Sequence, residues 1–415
     1  MWRQLKMAPK TVIPQDVNPI SAELLKLNQY RSFEIYPYKT WRSIPSLSTA
    51  IYNICLSTSS VLTGVVSLAA SIVIILPIGL VKSTLNPFIH FITWIRNRNN
   101  TTPPRRRCVV ITGSNSGIGA ALALEYAKTP NTHLVLIARD IPRLNLVADQ
   151  ARTLADKITT EVHSIDFLDY ENSPNEIYSL LNKLDAEFHG IDVAIAAAGV
   201  SGHRSGVLLP PSESAEGHIP SLPASSSTTT LKNDGPSSIA TLGSRILQVN
   251  VNVTQQFILH SFDLMRSRRR AFPSSSSYNP SIVILSSVAS YFTPGNFIFY
   301  GATKTYLGIL GRTLSLAGVE HGINVLPVTP GFIKSPMTRN MSILGCTVPL
   351  ATMGDAERLA RRVKKREESG ERGSPVVWPV WQGLGLYGMR AGSPAFELWM
   401  WWGAAAIGMA GWSWS

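Results

Sequence analysis

After residue 107 the chain alternates short apolar runs with segments of helical period. Runs rich in β-branched residues, such as CVVITG (108–113) and HLVLIAR (133–139), have the length and composition of buried strands. Amphipathic stretches lie between them, the first being GIGAALALEYAK. Strands and helices that alternate at this spacing predict βαβ units, so we expect an α/β fold with a doubly wound parallel sheet, the Rossmann fold.

The same pattern extends over the rest of this region, apart from one interruption. The predicted strands are 108–113, 133–139, 161–167, 191–199, 281–287 and 323–331. One helix is predicted directly after the first strand, and three more are predicted at 141–156, 175–188 and about 243–270. A further predicted helix contains Tyr300. A run of Ser, Pro and Thr at 203–240 cannot bury enough apolar surface to order itself, so we expect a disordered insertion there.

A long uncharged stretch precedes this region. No charged side chain occurs from Ser43 to Val81, and residues 61–81 supply 21 mostly apolar residues, enough to cross about 30 Å of hydrocarbon. Because the stretch shows no polar face, we predict a retained transmembrane anchor, with a buried core helix as the alternative. The predicted parts of the chain are a basic arm (1–60), the anchor (61–81), a basic linker (82–107), the α/β domain (108–380) and a hydrophobic tail (381–415).

The net charge of +12 is unevenly distributed. Residues 1–107 hold 13 Lys and Arg against 3 Asp and Glu, whereas residues 108–415 hold 25 against 23. A basic arm can bind nucleic acid, but beside a membrane segment we expect contact with anionic lipid headgroups and no nucleic-acid partner. The three cysteines lie far apart and the eight histidines show no ligand spacing, so we expect a reducing compartment and no metal.

Glycines mark the junction between the first strand and the first helix. In ITGSNSGIGAAL they let the backbone turn tightly and approach a pyrophosphate, whose charge the helix N-terminus favours. A lone glycine-rich loop is weak evidence, but the strand before it and the helix after it supply the expected context. The predicted dinucleotide contacts of this loop are Gly113, Ser114, Asn115, Ser116, Gly117, Ile118 and Gly119.

The run IFYGATKTYLG places Tyr300 one helical turn before Lys304. An ammonium on the same helix face favours the phenolate, so we expect Lys304 to lower the pKa of Tyr300 from its ordinary value near 10. Taken alone, the pair favours an amphipathic helix with a Tyr–Lys contact, since pairs four residues apart are common on helices. Ser287 ends the fifth predicted strand thirteen residues earlier, and Asn250 lies in LQVNVNV on the preceding helix.

Together with the TGxxxGxG spacing and TPGFIKS at 329–335, these residues resemble the short-chain dehydrogenases/reductases over roughly residues 108–380. The resemblance implies that Tyr300 is the general acid/base and that Lys304 lowers its pKa and holds the nicotinamide ribose. It implies that Ser287 binds the substrate oxygen and that Asn250 anchors a water that relays protons to Lys304. The further cofactor contacts it implies are Asp166, Gly199, Pro330, Gly331, Ile333 and Ser335.

The end of the second strand bears on which cofactor binds. Family members that bind NAD carry an aspartate where this chain has Ala138, and Arg139 follows. An arginine suits the 2′-phosphate of NADP(H), and we interpret Asp140 as a helix N-cap rather than as that aspartate. One departure from the family is AAAG at 196–199, where two asparagines that brace the central sheet are replaced by alanines.

Seven of the ten tryptophans lie in residues 376–415. The segment LWMWWGAAAIGMAGWSW is short for a spanning helix and has aromatic residues at both ends, which is typical of an interfacial segment. We expect a membrane-dipping tail beside the active site, the alternative being a hydrophobic lid packed on its own domain.

The resemblance implies an oxidoreductase that transfers hydride between NADP(H) and a carbonyl or hydroxyl group. Membrane-bound members act on 3-ketosphinganine, 3-ketoacyl-CoA, steroids and retinoids, which implies a lipophilic substrate and a single-pass anchor in the endoplasmic reticulum with the domain in the cytosol. It also implies a homodimer through the helices that contain Asn250 and Tyr300. Two other classes stay open: a catalytically silent nucleotide-binding or scaffold protein of the same fold, and a membrane interaction protein whose basic arm is the functional part.

Overall fold

A computed structural model describes residues 105–201, 236–272, 278–293, 297–343, 350–370 and 375–382, with scattered positions between 62 and 88. The basic arm, most of the predicted anchor and linker, most of the predicted insertion and the tail beyond Gln382 lie outside these residues. Within the described residues, no helix is long and apolar enough to cross a membrane.

Seven parallel strands form one sheet, in the order β3-β2-β1-β4-β5-β6-β7. This order confirms the predicted doubly wound α/β fold. The six predicted strands are all present, with ends that differ by a few residues. The strands are β1 Arg107–Thr112, β2 Thr132–Ala138, β3 Thr159–Ser164, β4 Val193–Ala196, β5 Ser281–Leu285, β6 Asn324–Pro330 and β7 Val376–Trp378. Strand β7 was not predicted, because three residues carry too little pattern to identify a strand.

Helices cover both faces of the sheet. They are α1 Gly117–Tyr126, α2 Ile141–Arg152, α3 Ser173–Glu187, α4 Pro236–Leu247, α5 Thr254–Ala271, α6 Ile298–His321, α7 Pro336–Ile343 and α8 Ala356–Glu368. The apolar sides of α1, α2 and α8 pack in one core cluster, and those of α3, α5 and α6 pack in a second cluster across the sheet. Each cluster excludes water from one face of the central strands, which holds the loops at the strand ends in place.

The segment that carries Asn250 differs from its prediction in two ways. Residues 236–240 belong to α4, so the insertion predicted for 203–240 is too long at its C-terminal end. The helix predicted for about 243–270 is interrupted by a π-helical segment, Gln248–Val253, in which Asn250 is buried. Such wide turns interrupt helices at functional sites more often than elsewhere, and hydrophobic periodicity does not reveal them.

Candidate active site

The carboxyl ends of the parallel strands meet at one edge of the sheet, and the loops leaving this edge carry most of the predicted site residues. Gly113, the first residue after β1, has a φ of 68°. A Cβ atom at this position would lie 2.7 Å from the Cα atom of Ala198. Glycine satisfies both the conformation and the close approach, so the loop after β1 lies directly against the segment after β4.

Predicted cofactor residues from four of these loops line one cleft. They are Gly113, Asn115, Ser116, Arg139, Asp166 and Gly199. Ser114 is buried beside them, and its hydroxyl has no hydrogen-bond partner among the described residues. A buried hydroxyl without a protein partner is unusual, and a ligand oxygen would satisfy it. Met337 of α7 also lines the cleft, which the sequence did not indicate.

The N-terminus of α1 adjoins this cleft and consists of the three predicted residues Gly117, Ile118 and Gly119. A Cβ atom on Gly117 would lie 3.5 Å from the Cβ atom of Ser335, which brings the loop after β6 next to the glycine-rich loop. The N–H groups of a helix N-terminus favour a phosphate, so this arrangement fits the pyrophosphate of a dinucleotide.

The residues after β2 take different positions around the cleft. Asp140 caps α2, because its carboxylate accepts a hydrogen bond of 3.0 Å from the backbone N–H of Arg143. The predicted N-cap is therefore confirmed. Arg139 lies 3.7 Å from Asp166, and both side chains are about half exposed (49% and 47%). An ion pair this long and this exposed is weak, so the guanidinium can turn toward a ligand at little cost.

Ser287 and Tyr300 lie next to each other above the end of β5. The Ser287 hydroxyl accepts a hydrogen bond of 3.2 Å from the backbone N–H of Ala289, which begins a short 3₁₀ turn. Burial raises the pKa of the Tyr300 phenol, and a side-chain hydrogen bond with Ser287 offsets part of this rise. The phenol is therefore held in its protonated form at neutral pH, beside a second hydroxyl.

Lys304 follows one helical turn later and is only 5% exposed. Its ammonium donates a hydrogen bond of 3.1 Å to the carbonyl of Leu285 and lies 5.6 Å from the ring centroid of Tyr300. Burial lowers the pKa of Lys304 to about 8. The pKa of Tyr300 therefore shifts upward, opposite to the predicted direction, because removing water from the phenol is the largest influence on it.

Hydrogen bonds from side-chain hydroxyls to backbone carbonyls hold the end of β5 against α6. The Ser286 hydroxyl donates a hydrogen bond of 2.6 Å to the carbonyl of Lys304, and the Thr305 hydroxyl donates one of 2.9 Å to the carbonyl of Ser290. Ser287 lies between these two contacts in the chain. Its position relative to the Tyr–Lys helix is therefore determined from both sides.

Asn250 joins the segment after β4 to the same helix. Its side-chain oxygen accepts from the N–H of Val200 at 2.8 Å, and its amide nitrogen donates to the carbonyl of Val200 at 2.9 Å and to the hydroxyl of Thr303 at 3.0 Å. A Cβ atom on Gly199 would lie 3.3 Å from Nζ of Lys304 and 3.4 Å from the side-chain oxygen of Asn250. The fold thus brings together three predicted residues that are up to 105 positions apart in the chain.

The alanines at 196–198 are braced by a residue that the sequence did not single out. The hydroxyl oxygen of Thr112 accepts hydrogen bonds of 3.1 Å from the backbone N–H groups of both Ala197 and Ala198. These N–H groups turn away from the ladder, which is why β4 ends at Ala196 and not at the predicted residue 199. Thr112 thus ties the segment to β1 without the family's asparagines.

The loop after β6, which contains Gly331, Ile333 and Ser335, contacts the first residues of the predicted tail. Gln382 accepts a hydrogen bond of 2.8 Å from the N–H of Phe332 and donates one of 3.0 Å to the carbonyl of Thr352. A Cβ atom on Gly331 would overlap the side-chain oxygen of Gln382, so glycine is needed for this contact. Pro330 ends β6 and pairs with Trp378 of β7. The start of the tail therefore belongs to the folded domain.

Gln382 and Thr303 support the site, although neither was predicted to do so. Gln382 lies 50 positions from its partner Phe332, and no local pattern connects the two. The sequence gives only a weak indication that Thr303 supports the site, namely its position directly before Lys304 in the chain. The sequence identifies side chains that carry chemistry more readily than side chains that hold them.

The family model for short chain dehydrogenases matches residues 107–214 and 244–343 of this chain. This match covers half of the chain, and the chain belongs to that family. The family binds a nicotinamide cofactor, and the cleft described above has the loops and the unsatisfied Ser114 hydroxyl that such a cofactor requires. The gap in the match falls within the predicted insertion and the first half of α4.

Among curated proteins, an uncharacterized oxidoreductase of Myxococcus xanthus is 26% identical over 232 residues, which cover 56% of this chain and 74% of that protein. An 11-beta-hydroxysteroid dehydrogenase A of Sesamum indicum is 28% identical over 56% of this chain and 54% of its own length. A very-long-chain 3-oxoacyl-CoA reductase-like protein of Arabidopsis thaliana is 24% identical over 62% of this chain and 70% of its own length. These similarities agree with an oxidoreductase of the short-chain type.

Proposed function

We propose that this chain is a membrane-anchored reductase that uses NADP(H) to interconvert a carbonyl and a hydroxyl group on a lipophilic substrate. The observation that carries the proposal is that Ser287, Tyr300 and Lys304 lie together after the end of β5, where Lys304 adjoins Gly199 of the dinucleotide cleft. Each of the three is held by a partner in the fold, which preorganises them for proton transfer.

Each of these side chains has a role that its surroundings support. Ser287 would hydrogen-bond the substrate oxygen, and Tyr300 would donate its proton to that oxygen during reduction. A raised pKa keeps the Tyr300 phenol protonated at neutral pH, which suits an acid in the reductive direction. Lys304, with a pKa of about 8, can return a proton to Tyr300 near neutral pH through a water next to Asn250. The nicotinamide, when bound, supplies the hydride.

The preference for NADP(H) rests on the residues after β2. The position that would carry an aspartate in an NAD-binding member is Ala138, and the carboxylate of Asp140 is engaged at the helix N-terminus. Arg139 lines the cleft and is half exposed. Its planar guanidinium can bind a 2′-phosphate through two charge-assisted hydrogen bonds.

The lipophilic substrate and the membrane location are supported by the relatives and by the sequence outside the described residues. The relatives from Sesamum indicum and Arabidopsis thaliana are named for hydroxysteroids and long-chain 3-oxoacyl-CoA, both lipophilic ketone or alcohol classes. Residues 61–81 and 381–415 are rich in apolar and aromatic side chains. We propose a single-pass anchor in the endoplasmic reticulum, a cytosolic catalytic domain and a homodimer.

The test is a titration of the full chain in detergent with NADPH and with NADH, in which binding is monitored by fluorescence. We expect tighter binding of NADPH, and loss of this preference in Arg139→Ala. Arg152→Ala is the matched control, since Arg152 ends α2, the helix that follows Arg139, and forms an exposed pair with Asp149. Substrate screening with steroid ketones and 3-oxoacyl-CoA should then give turnover that Tyr300→Phe abolishes while NADPH binding persists.

Two results would lead to other conclusions. Binding of NADPH without turnover of any ketone by the wild-type chain would favour the silent nucleotide-binding protein. Equal affinity for NADH and NADPH in both the wild type and Arg139→Ala would contradict the role of Arg139 and the NADP(H) assignment.

A further inference from the structure

Helix α8 presents a row of cations on the side that faces away from the core. Its buried residues are Ala356, Leu359, Ala360, Val363 and Glu367. At 100° per residue these positions define one side of the helix, and the exposed cations cluster on the opposite side. The members of this row are Arg358, Arg361, Arg362 and Lys365. We call it the α8 basic face.

The acidic residues of α8 lie outside this row. Glu367 is buried and pairs with Arg107 at 2.7 Å, and Glu368 pairs with the same guanidinium at 3.2 Å. Glu357 borders the row without interrupting it. The basic face thus concentrates positive charge in a region of the chain, residues 108–415, that has a net charge of only +2. Within the row, Arg358 forms an ion pair of 3.4 Å with Asp355, which is exposed and therefore weak, and the guanidinium of Arg362 lies 4.2 Å from the ring centroid of Trp378.

The two hydrophobic segments of the sequence join the domain at opposite ends of α8. At its C-terminal end, Arg107 ties the linker from residues 61–81 to Glu367. At its N-terminal end, Arg358 and Trp381 line one cleft, from which the chain continues into the Trp-rich tail. Val380 and Trp381 are 52% and 54% exposed there. Exposed tryptophan beside basic residues is typical of a surface that meets a membrane interface.

We propose that the α8 basic face, together with Trp381, docks on an anionic phospholipid surface and sets the orientation of the domain on its membrane. This inference deepens the proposed function and rests on its membrane anchor, but not on its cofactor or substrate. An anionic leaflet attracts basic side chains near the surface, and each removed cation should shift the docking equilibrium about five-fold. An acidic protein partner would match the charge as well, but it would not explain why both hydrophobic segments join the domain beside this helix.

The experiment uses the full chain reconstituted in liposomes, with a fluorophore attached to Arg361→Cys. Cys55 and Cys346 are replaced by serine, and Cys108 is buried and does not react. The liposomes contain phosphatidylcholine alone or mixed with phosphatidylserine, and a fraction of lipids with a spin label on the headgroup quenches any fluorophore near the surface. Ser179→Cys is the matched control, because Ser179 is exposed on α3 across the sheet.

We expect quenching at position 361 to exceed that at position 179, to increase with phosphatidylserine and to fall at high salt. Adding Arg358→Gln and Lys365→Gln should reduce the quenching at 361 and leave position 179 unchanged. Equal quenching at the two positions overturns the docking proposal. Quenching at position 361 that does not change with the phosphatidylserine content also overturns it. A chain that does not stay with the liposomes overturns both the anchor and the docking.

NADPH titration of the same liposomes separates this proposal from the proposed function. Headgroup quenching at position 361 without NADPH binding retains the docking face and rejects the reductase. NADPH binding without preferential quenching retains the reductase and rejects the docking face.

Discussion

The side-chain amide of Asn250 donates a hydrogen bond of 3.0 Å to the hydroxyl of Thr303, which in turn donates one of 2.7 Å to the carbonyl of Tyr300. Asn250 and Thr303 are both fully buried. One continuous hydrogen-bonded path therefore runs from the π-helical segment to the first turn of α6. Thr303 positions two functional residues without being one of the predicted catalytic groups.

Replacing Thr303 by valine should destabilise the domain and misplace Asn250. The substitution conserves the volume but leaves a buried amide donor unpaired, which costs roughly 1–3 kcal/mol. We expect a lower midpoint of thermal unfolding in detergent and a loss of turnover that falls on kcat more than on KM. Thr303→Ser keeps the hydroxyl and should retain most of both properties. Equal behaviour of the valine and serine variants would show that the hydroxyl does not act as described.

Thr112 should be a second position where a hydroxyl matters more than its methyl group. It accepts hydrogen bonds from the N–H groups of both Ala197 and Ala198. Thr112→Val leaves two backbone donors without their acceptor, so we expect a loss of roughly 2 kcal/mol in the free energy of unfolding and weaker NADPH binding. Thr112→Ser is the control, and chemical unfolding of the two variants side by side is the measurement. A valine variant as stable as the serine variant would contradict the bracing role.

Gln382 should influence cofactor binding from the start of the tail. Gln382→Ala removes both hydrogen bonds that hold the loop after β6, at Phe332 and at Thr352. If ordering the loop on cofactor binding then costs about 1 kcal/mol more free energy, NADPH should bind roughly five-fold more weakly. Gln382→Glu keeps an acceptor for the N–H of Phe332 and should lose less affinity. Unchanged affinity in the alanine variant would mean that the loop keeps its conformation without this contact.

Because of Lys304, the free energy of unfolding of the domain should change with pH in the alkaline range. Its pKa falls from 10.5 to about 8 on folding, so burial of the charge costs about 3 kcal/mol. Below pH 8 the amine is charged in both the folded and the unfolded chain, and the full cost is present. Between about pH 8 and 10.5 the unfolded chain binds the proton and the folded chain does not, so stability rises with pH.

The variant Lys304→Met removes this charge and most of this pH dependence. We expect it to be about 2 kcal/mol more stable than the wild type at pH 7, after allowing for the lost hydrogen bond to Leu285. The difference should shrink toward pH 10, as measured by thermal unfolding in detergent across this range. A difference that stays constant with pH would contradict the lowered pKa.

Much of the fold could be predicted because local patterns of residue type along the chain determine its strands and helices. Six strands follow from β-branched runs, and the alternation with helices predicts a parallel sheet. The glycine-rich loop, Ser287 and the Tyr300–Lys304 pair are recognisable because residue type and spacing carry their chemistry. Strand β7, the π-helical segment at Asn250 and the contact of Gln382 were not predicted, because they depend on neighbours far away in the chain.

The sequence by itself determined which side chains can carry the chemistry: a phenol and an amine one helical turn apart, a serine at a strand end, and an arginine next to the position where an acid would select NAD. Only the tertiary structure decided their protonation. Burial depends on all the segments that pack around a group, and these come from distant parts of the chain. Burial raises the pKa of Tyr300 and lowers that of Lys304. For Tyr300 this direction is opposite to the one expected from the Tyr–Lys pair alone. The tertiary structure also decided how the site is held, because Thr112, Thr303 and Gln382 acquire their partners only when the strands assemble.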